Sequence, residues 1–505
     1  MGLPRFPGGL SLPGWKPAAA GIARLPLPPV LRVPLLQHAG LPCEPCVAVG
    51  ERVARFQPLG RVPAGALGAA VHSPAGGRVR AIEPGPTALP GRPEALHVLV
   101  EVETGDTDEA WRLPPLDPLG TPAEAVLERL AEAGVAGLGG AGFPAADKLA
   151  AARRLLILNG AECEPVVASD AALVQHHAGD LVQAAHLLAR CCGAGDWVLA
   201  LEAGMEAAIA AARQALAAAG EEAARRLVVL PDRYPAGAER SLILAVAGLE
   251  LPEGELPRQH GVLVQNVATA VAALRAVRDG EPLVSRLVTA GGPGLRGAGV
   301  WEVAIGTPAH WLAKAAGGWA LEALVLRAGG PMMGTVLPDA EVAIGKTTIA
   351  LTAWPAPPAS PPRPCIRCGD CAGVCPARLL PQQLHARLQA RDRSGALALG
   401  LMACVECAAC DVVCPSAIPL SAGFRAAREA EREHRFRQRQ AEAAKQRFEA
   451  RTARLEREAE AQARADAEDR TKRLSSAAAR ALAKARARRG DAGKDGGGDG
   501  RGGAA

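Results

Sequence analysis

Cys365-Ile366-Arg367-Cys368-Gly369-Asp370-Cys371-Ala372-Gly373-Val374-Cys375-Pro376 and Cys404-Val405-Glu406-Cys407-Ala408-Ala409-Cys410-Asp411-Val412-Val413-Cys414-Pro415 write one pattern twice. It is the bacterial 4Fe-4S run, in which three thiolates two residues apart wrap one cube from a tight loop. The fourth thiolate, displaced onto the following segment, reaches the other cube. By that rule Cys365, Cys368, Cys371 and Cys414 hold one cluster, and Cys404, Cys407, Cys410 and Cys375 hold a second. The proline after each fourth cysteine ends the loop and removes a backbone donor there. Zinc is the competing reading, since it also uses Cys-x2-Cys pairs, but it does not ask for a third cysteine at this interval and a fourth before proline. The spacer from Pro381 to Met402 reads as two helices, which favours a helical ferredoxin-type domain over the compact β type.

Outward from this core, 505 residues are enough for three or four domains. Thirteen cysteines in a chain without an export signal point to metal ligation rather than disulfides. Met1 to Gly21 is broken by Pro4, Pro7, Pro13 and Pro17 and does not read as a signal peptide. No uncharged apolar stretch is long enough to span a bilayer, the longest clean run being Val262 to Leu274. With 57 basic against 52 acidic residues the net charge is only +5, which implies no nucleic-acid partner. A soluble or peripheral, cytoplasmic protein is expected.

Residues 30–105 alternate short apolar segments with Gly and Pro turns, as a small β domain does. A Pro-rich connector follows at Leu113 to Pro122, then alternating helical and strand patterns to about Ala273, which predict an α/β layer. A second strand-rich block runs to about Thr352. Ala353 to Pro364 carries six prolines and reads as an extended linker. Phe424 to Arg489 has neither proline nor glycine and is rich in Ala, Glu, Arg, Lys and Gln, so a helix reaching roughly 100 Å at ~1.5 Å per residue is expected. Its larger apolar residues are too sparse for a heptad seam, which predicts a solvated charged helix. Gly490 to Ala505 is Gly/Asp-rich and reads as disordered. Of the remaining cysteines, Cys191-Cys192 read as buried, and Cys43-x2-Cys46, with no second pair nearby, as structural.

Upstream, Gly137-Leu138-Gly139-Gly140-Ala141-Gly142-Phe143-Pro144 leads into a helix carrying Lys148. Such a turn lets backbone N–H groups close on a phosphate, with a lysine adding charge. Leu155 to Leu158 reads as a buried strand and ends in Asn159-Gly160-Ala161-Glu162-Cys163-Glu164-Pro165, a polar turn where open α/β sheets place ligands. These stretches, with Tyr234-Pro235-Ala236-Gly237, Val264-Gln265-Asn266-Val267 and the doubled cluster motif, resemble the RnfC (RsxC) family, a component of the Rnf (Rsx) ion-translocating electron-transport complexes. The likeness covers about 25 to 425, and the family is similar to the flavin-bearing, NADH-binding subunit of respiratory complex I.

That resemblance implies a multidomain α/β and β chain. Its parts would be a barrel-sandwich hybrid of the biotinyl/lipoyl type at 25–112, a Rossmann-like FMN and NADH domain at 120–275 and a β-grasp, soluble-ligand-binding (SLBB-like) domain at 280–352. A double-cluster ferredoxin domain at 360–422, a charged helix at 424–489 and a disordered tail at 490–505 would complete it. Noncovalent FMN, two 4Fe-4S clusters and NADH as substrate follow. Carried over by position, Gly139, Gly140, Gly142 and Lys148 would surround the flavin phosphate and ribityl chain. Asn159, Glu162, Tyr234, Gly237, Glu239, Asn266 and Thr269 would line the rest, with Glu162 and Glu239 as candidate nicotinamide or flavin contacts. Ala238 and Ala268 stand where the family has glycine. Glu164 reads as a solvated cap. No lysine occupies a carrier hairpin in the first domain, so it should carry neither biotin nor lipoate, and His72 reads as structural.

The activity implied is NADH-dependent: a hydride passes to FMN, whose electrons leave singly for the clusters. The partners implied are the membrane subunits and the ferredoxin-like B subunit, with peripheral attachment at the cytoplasmic face of the bacterial inner membrane. A soluble flavin/iron-sulfur cobalamin reductase related to this family is one alternative. A non-catalytic electron wire without a working flavin site is another.

Overall fold

The computed structural model describes residues 6–13, 15–17, 21–91, 93–103, 111–356 and 361–491. The chain divides into two units, 1–426 and 427–505. In the first, eight strands precede the first α-helix among the described residues. They are β1 (Ala23–Arg24), β2 (Val30–Pro34), β3 (Glu44–Pro45), β4 (Arg52–Val53), β5 (Pro58–Arg61), β6 (Val71–His72), β7 (Gly77–Pro86) and β8 (Glu94–Val102). One antiparallel sheet runs β2-β8-β7-β4 and a second β3-β5-β6. The period of two is plain in β2: Leu31 and Val33 are buried, while Arg32 between them reaches Glu83 at 3.3 Å. His72 is buried here and held neutral, its pKa lowered to about 3 chiefly by burial, as a structural histidine would be.

The α/β layer follows as α1 (Ala123–Glu132), α2 (Ala145–Leu149), β9 (Leu155–Asn159), α3 (Ser169–Cys191), β10 (Asp196–Glu202), α4 (Glu206–Ala218), α5 (Ala223–Arg226), β11 (Leu227–Leu230), α6 (Glu239–Ala247), β12 (Val262–Asn266) and α7 (Val267–Arg278). Its four strands are parallel in the order β11-β10-β9-β12. They read as unbroken apolar runs because apolar clusters cover both faces: Leu156 and Leu158 belong to one, Ile157 to the other. The chain leaves β9 toward β10, yet β12 lies on the opposite side of β9. The order therefore reverses between β9 and β12, and a crevice opens at their C-terminal ends.

The third layer contains β13 (Ser285–Gly291), β14 (Gly299–Ala304), α8 (Ala309–Ala315), β15 (Leu324–Ala328), β16 (Thr335–Val336) and β17 (Ala350–Pro355). Its sheet is ordered β1-β14-β13-β17-β15-β16, so the chain contributes β1 to this layer before it builds the barrel. The linker expected from Ala353 begins later, because Ala353 to Pro355 are the end of β17. Ala353 is buried, and its carbonyl accepts from Gly294 N at 2.9 Å. Part of that linker, 357–360, lies outside the described residues.

In the cluster region α9 (Asp370–Gly373) and α12 (Ala409–Val412) each begin inside a cysteine triplet, and α10 (Pro381–Gln389) and α11 (Arg393–Ala398) form the expected helical spacer. The charged run is helical over its described length, as α13 (Leu420–Asp491). Within the second unit, pairs such as Arg435–Glu431, Arg437–Glu433 and Arg454–Glu458 lie one turn apart and support the helix by a few tenths of a kcal/mol each, on the order of 0.3–0.5. The expected disordered tail lies outside the described residues from 492 onward.

One side chain joins the three layers. Lys346 is buried, and its Nζ donates to Ala70 O of the barrel at 2.6 Å and to Gly134 O of the α/β layer at 2.7 Å. Its amide donates to Gln37 Oε1 at 3.1 Å, and its carbonyl accepts from Arg286. Burial lowers Lys346 to about 8, which leaves it mostly charged at neutral pH. Lys346→Met keeps the stem but strands two buried carbonyls, each worth about 1–3 kcal/mol. A loss of about 2–5 kcal/mol in urea unfolding followed by tryptophan fluorescence is expected, and a loss below about 0.5 kcal/mol contradicts this role.

Candidate functional site

The Gly-rich loop lies at the crevice between β9 and β12. Gly137 N donates to Phe143 O at 2.8 Å, Gly142 N to Gly137 O at 3.2 Å, and Leu138 N to Thr269 Oγ1 at 2.8 Å. Gly140 has φ +100° with open space where a side chain would stand, and a Cβ on Gly139 would sit 3.1 Å from Asn266 Cβ. The amides of Gly139, Gly140 and Ala141 have no protein acceptor among the described residues. Three free donors in a turn that reaches φ +100° at Gly140 fit a flavin phosphate.

Polar contacts tie the loop to the strand ends. Asn266 caps α7 by accepting from Ala268 N at 3.0 Å and Thr269 N at 3.3 Å, and donates to Asp170 Oδ2 at 2.6 Å and Asn159 O at 3.5 Å. Asn159 donates to Gly237 O at 3.0 Å. Lys148 Nζ donates to Val264 O at 2.6 Å and lies 3.9 Å from Glu239 Oε1, with burial lowering its pKa. Gly139, Gly140, Lys148, Asn159, Gly237, Glu239, Asn266 and Thr269 thus form one connected neighbourhood. Thr269 supports it from behind, being fully buried. Ala238 has φ −66° and ψ 130°, a conformation that needs no glycine, and its methyl meets no backbone restriction there.

Three residues expected at the pocket are committed elsewhere. Gly142 turns toward the barrel, its carbonyl accepting from Ala39 N at 2.8 Å. Tyr234 is buried and donates its hydroxyl to Cys407 O at 2.6 Å, toward the cluster region. Glu162 accepts from Ser169 Oγ, Asp170 N and Ala171 N at 2.9–3.2 Å, where a carboxylate stabilises the N-terminus of α3. Glu164 corrects the expectation of a solvated cap. It accepts from Met332 N at 3.0 Å and Met333 N at 2.7 Å in the loop after β15, and burial pushes its pKa up to about 7.

Several residues carry no motif and escaped the sequence reading. Arg286 is buried, donates to Leu138 O at 3.2 Å, and is lowered to about 10 by burial. Burial, with Glu162 beside it, raises Asp170. A cavity of about 580 Å³ lies at the ends of β9, β10 and β11, between Ala172 of α3 and the segment that carries Leu12 and Lys16. Lys16 Nζ donates to Glu162 O and lies 3.7 Å from Glu202 Oε2, while Glu202 Oε1 is buried without a partner. Burial raises Glu202 to about 7 despite Lys16. An acid at the end of the apolar strand Trp197 to Leu201 was the available signal.

The two cysteine loops share one backbone. Left-handed φ recurs at matched positions: Arg367 and Glu406 (+59° and +58°), Gly369 and Ala408 (+89° and +57°), Arg378 and Ala417 (+52° and +51°). For non-glycine residues each costs on the order of 1–3 kcal/mol, which points to a demand common to both loops. Cys365, Cys368, Cys371 and Cys414 line one cavity, as the crossed rule requires. Cys375 lies close enough to Cys407 to perturb it electrostatically, together with Cys404. Among the described residues no three His, Cys, Asp or Glu side chains converge on a single-ion site. Thiols ringing a cavity are what a cube requires, and these fit one.

Residues 4–104 match the RnfC barrel sandwich hybrid domain, 130–275 the Nuo51 FMN-binding domain and 364–418 a 4Fe-4S dicluster domain. The chain is 42% identical over 445 residues to the C subunit of the ion-translocating oxidoreductase complex of Pseudomonas aeruginosa, covering 85% of this chain and 56% of that protein. It is 38% identical over 402 residues to the protein of the same name from Pasteurella multocida, covering 78% and 47%. It thus spans about half the length of the curated relatives it matches. An NAD+-reducing [NiFe]-hydrogenase structure aligns with a TM-score of 0.43 at 21% identity, over 63% of this chain and 64% of that one. No helix of the described residues is long and apolar enough to cross a membrane.

Glu202 yields a pH prediction. Its folded pKa, about 7, lies above the ordinary carboxylate value of about 4.3, so its stabilising effect is full below the ordinary value and is lost as pH rises through about 7. Glu202→Gln cannot ionise. The thermal midpoint of the variant relative to the parent should therefore rise between pH 5.5 and 8, and a difference that stays constant across that range contradicts the burial argument.

Proposed function

The chain belongs to the RnfC family of ion-translocating oxidoreductase complexes, and we propose that it passes electrons between NADH and ferredoxin-type carriers through FMN and two 4Fe-4S clusters. What carries this reading is a pair of like-folded cysteine loops in one unit with a glycine crevice whose amides are free. In this reading the barrel, the α/β layer, an SLBB-like β-grasp layer and the double-cluster domain occupy 25–112, 120–275, 280–352 and 360–422. The protein would sit peripherally on the cytoplasmic face of the inner membrane, with the membrane subunits and the ferredoxin-like B subunit as partners.

FMN, when bound, supplies the conversion between two-electron hydride chemistry and one-electron transfer. The protein's part is positional. The amides of Gly139, Gly140 and Ala141 would hold the phosphate, and Asn159 and Asn266 fix the floor of the crevice. Glu239, two residues after Gly237 and beside Lys148, offers a carboxylate to the nicotinamide ribose or amide. Eight thiolates, crossed between the two motifs, would hold the cubes.

Anaerobically prepared protein should contain close to eight iron and eight acid-labile sulfide per chain. It should also retain FMN that NADH bleaches. Gly140→Ala, strained at φ +100°, should weaken FMN retention at least tenfold while leaving iron unchanged. Zinc in place of iron defeats the cluster assignment, full clusters with no flavin retained favour a wire, and co-purification with membrane subunits tests the assembly.

A further inference from the structure

The structure offers two cysteine sets and one crevice, and the protein contacts between them are one-sided. We propose that electrons cross between the flavin crevice and the cluster of Cys404, Cys407, Cys410 and Cys375, and that Tyr234 is the positioning residue of that junction. The inference rests on the flavin and cluster reading above and adds the order of the centres to it.

Tyr234 begins a short peptide with one end at each centre. Its hydroxyl donates to Cys407 O at 2.6 Å, and three residues on, Gly237 O accepts from Asn159 at the crevice. Its backbone is clamped on both sides, Leu10 N donating to Tyr234 O and Tyr234 N to Leu10 O, each at 2.8 Å. The same strap continues to the fourth ligand of that set. Gly9 N donates to Val374 O at 2.8 Å, and a Cβ on Gly8, at φ +62°, would sit 2.6 Å from Cys375 C and O. Cys407 and Cys375 come from different motifs, yet the crossed rule puts them on one cube. The strap and the tyrosine therefore grip both halves of a single ligand set.

The packing differs in the same sense. Tyr234, Cys407 and Ala409 are buried together in an apolar cluster, with Leu10, Cys163 and Met332 against it. In the other set Cys365 and Cys368 are exposed, and Cys371 Sγ lies 3.4 Å from the side-chain amide of Gln382, away from the tyrosine. Burial and hydrogen bonds around the ligands set a cluster's potential. A hydroxyl on the carbonyl of a ligand cysteine draws electron density from it and favours the reduced cube. In either direction one electron leaves one centre and the other gains it, and no bond to a protein atom forms or breaks. NADH is the ultimate reductant in the reading above.

The test is a redox titration followed by electron paramagnetic resonance on the full chain, which gives a midpoint for each cluster, with iron, sulfide and FMN content measured beside it. Tyr234→Phe should keep all three contents, shift one midpoint downward and leave the other in place, and slow flavin-to-cluster transfer several-fold. Gln382→Leu should shift the other midpoint. Gly8→Ala, which presses on Cys375, should move the same midpoint as Tyr234→Phe and serves if that variant does not assemble. Parent protein and variants with full clusters, but with neither midpoint moved by Tyr234→Phe or Gly8→Ala, overturn the inference alone, as does one midpoint moved by both Tyr234→Phe and Gln382→Leu. Parent protein without iron overturns the underlying reading and this one with it.

Discussion

A positive charge with no water around it governs this molecule. Lys346 can be buried only if carbonyls surround it, and the carbonyls it uses belong to the barrel and to the α/β layer. Arg286 makes the same demand one step away, on the Lys346 carbonyl and on Leu138 of the Gly-rich loop. Lys346 is not satisfied until all three layers have closed, and Arg286 not until its own layer meets the α/β layer. The loop is therefore held from below by Arg286 and from the side by Thr269, and its free amides face outward because its other groups are already spent. The geometry of the crevice is a by-product of accommodating buried cations.

The acidic turn after β9 shows how closely spaced side chains divide such work. Glu162 was expected at the pocket and Glu164 as a solvated cap, but each is taken up by backbone amides, one at the start of α3 and the other in the loop after β15. The turn is a fastening between layers as much as a wall of the crevice. Asp170, which the turn brings beside Glu162, holds Asn266 and so links this fastening to the cap of α7.

Much of this was legible in the sequence where a local rule operates. The cysteine loops announce themselves because ligand spacing is a local property, and the matched left-handed residues repeat because the motif repeats. The parallel sheet was legible from unbroken runs such as Leu155 to Leu158, and the glycine loop from its composition. What the sequence hid depends on partners far along the chain. Lys346 lies in a loop with no motif, and nothing near it says that Ala70 and Gly134 will come to it. Tyr234 was expected at the flavin pocket, and its hydroxyl goes instead to a carbonyl in a cysteine loop far along the chain. The linker was placed early for the opposite reason: the prolines after Ala353 dominate the pattern, and the pairing of β17 with β15 is invisible locally.

The strap from Gly8 to Pro13 has a bearing on biosynthesis. These residues leave the ribosome well before their partners Tyr234 and Val374, by on the order of tens of seconds at ~5–20 residues per second. Until then the strap and β1 have nothing to pair with, and the apolar faces that will receive Leu10 and Leu12 stay open. A segment made early is thus seated late. A nascent chain of this kind gains from a chaperone over that interval, and slow translation upstream of the cysteine loops lengthens the exposure.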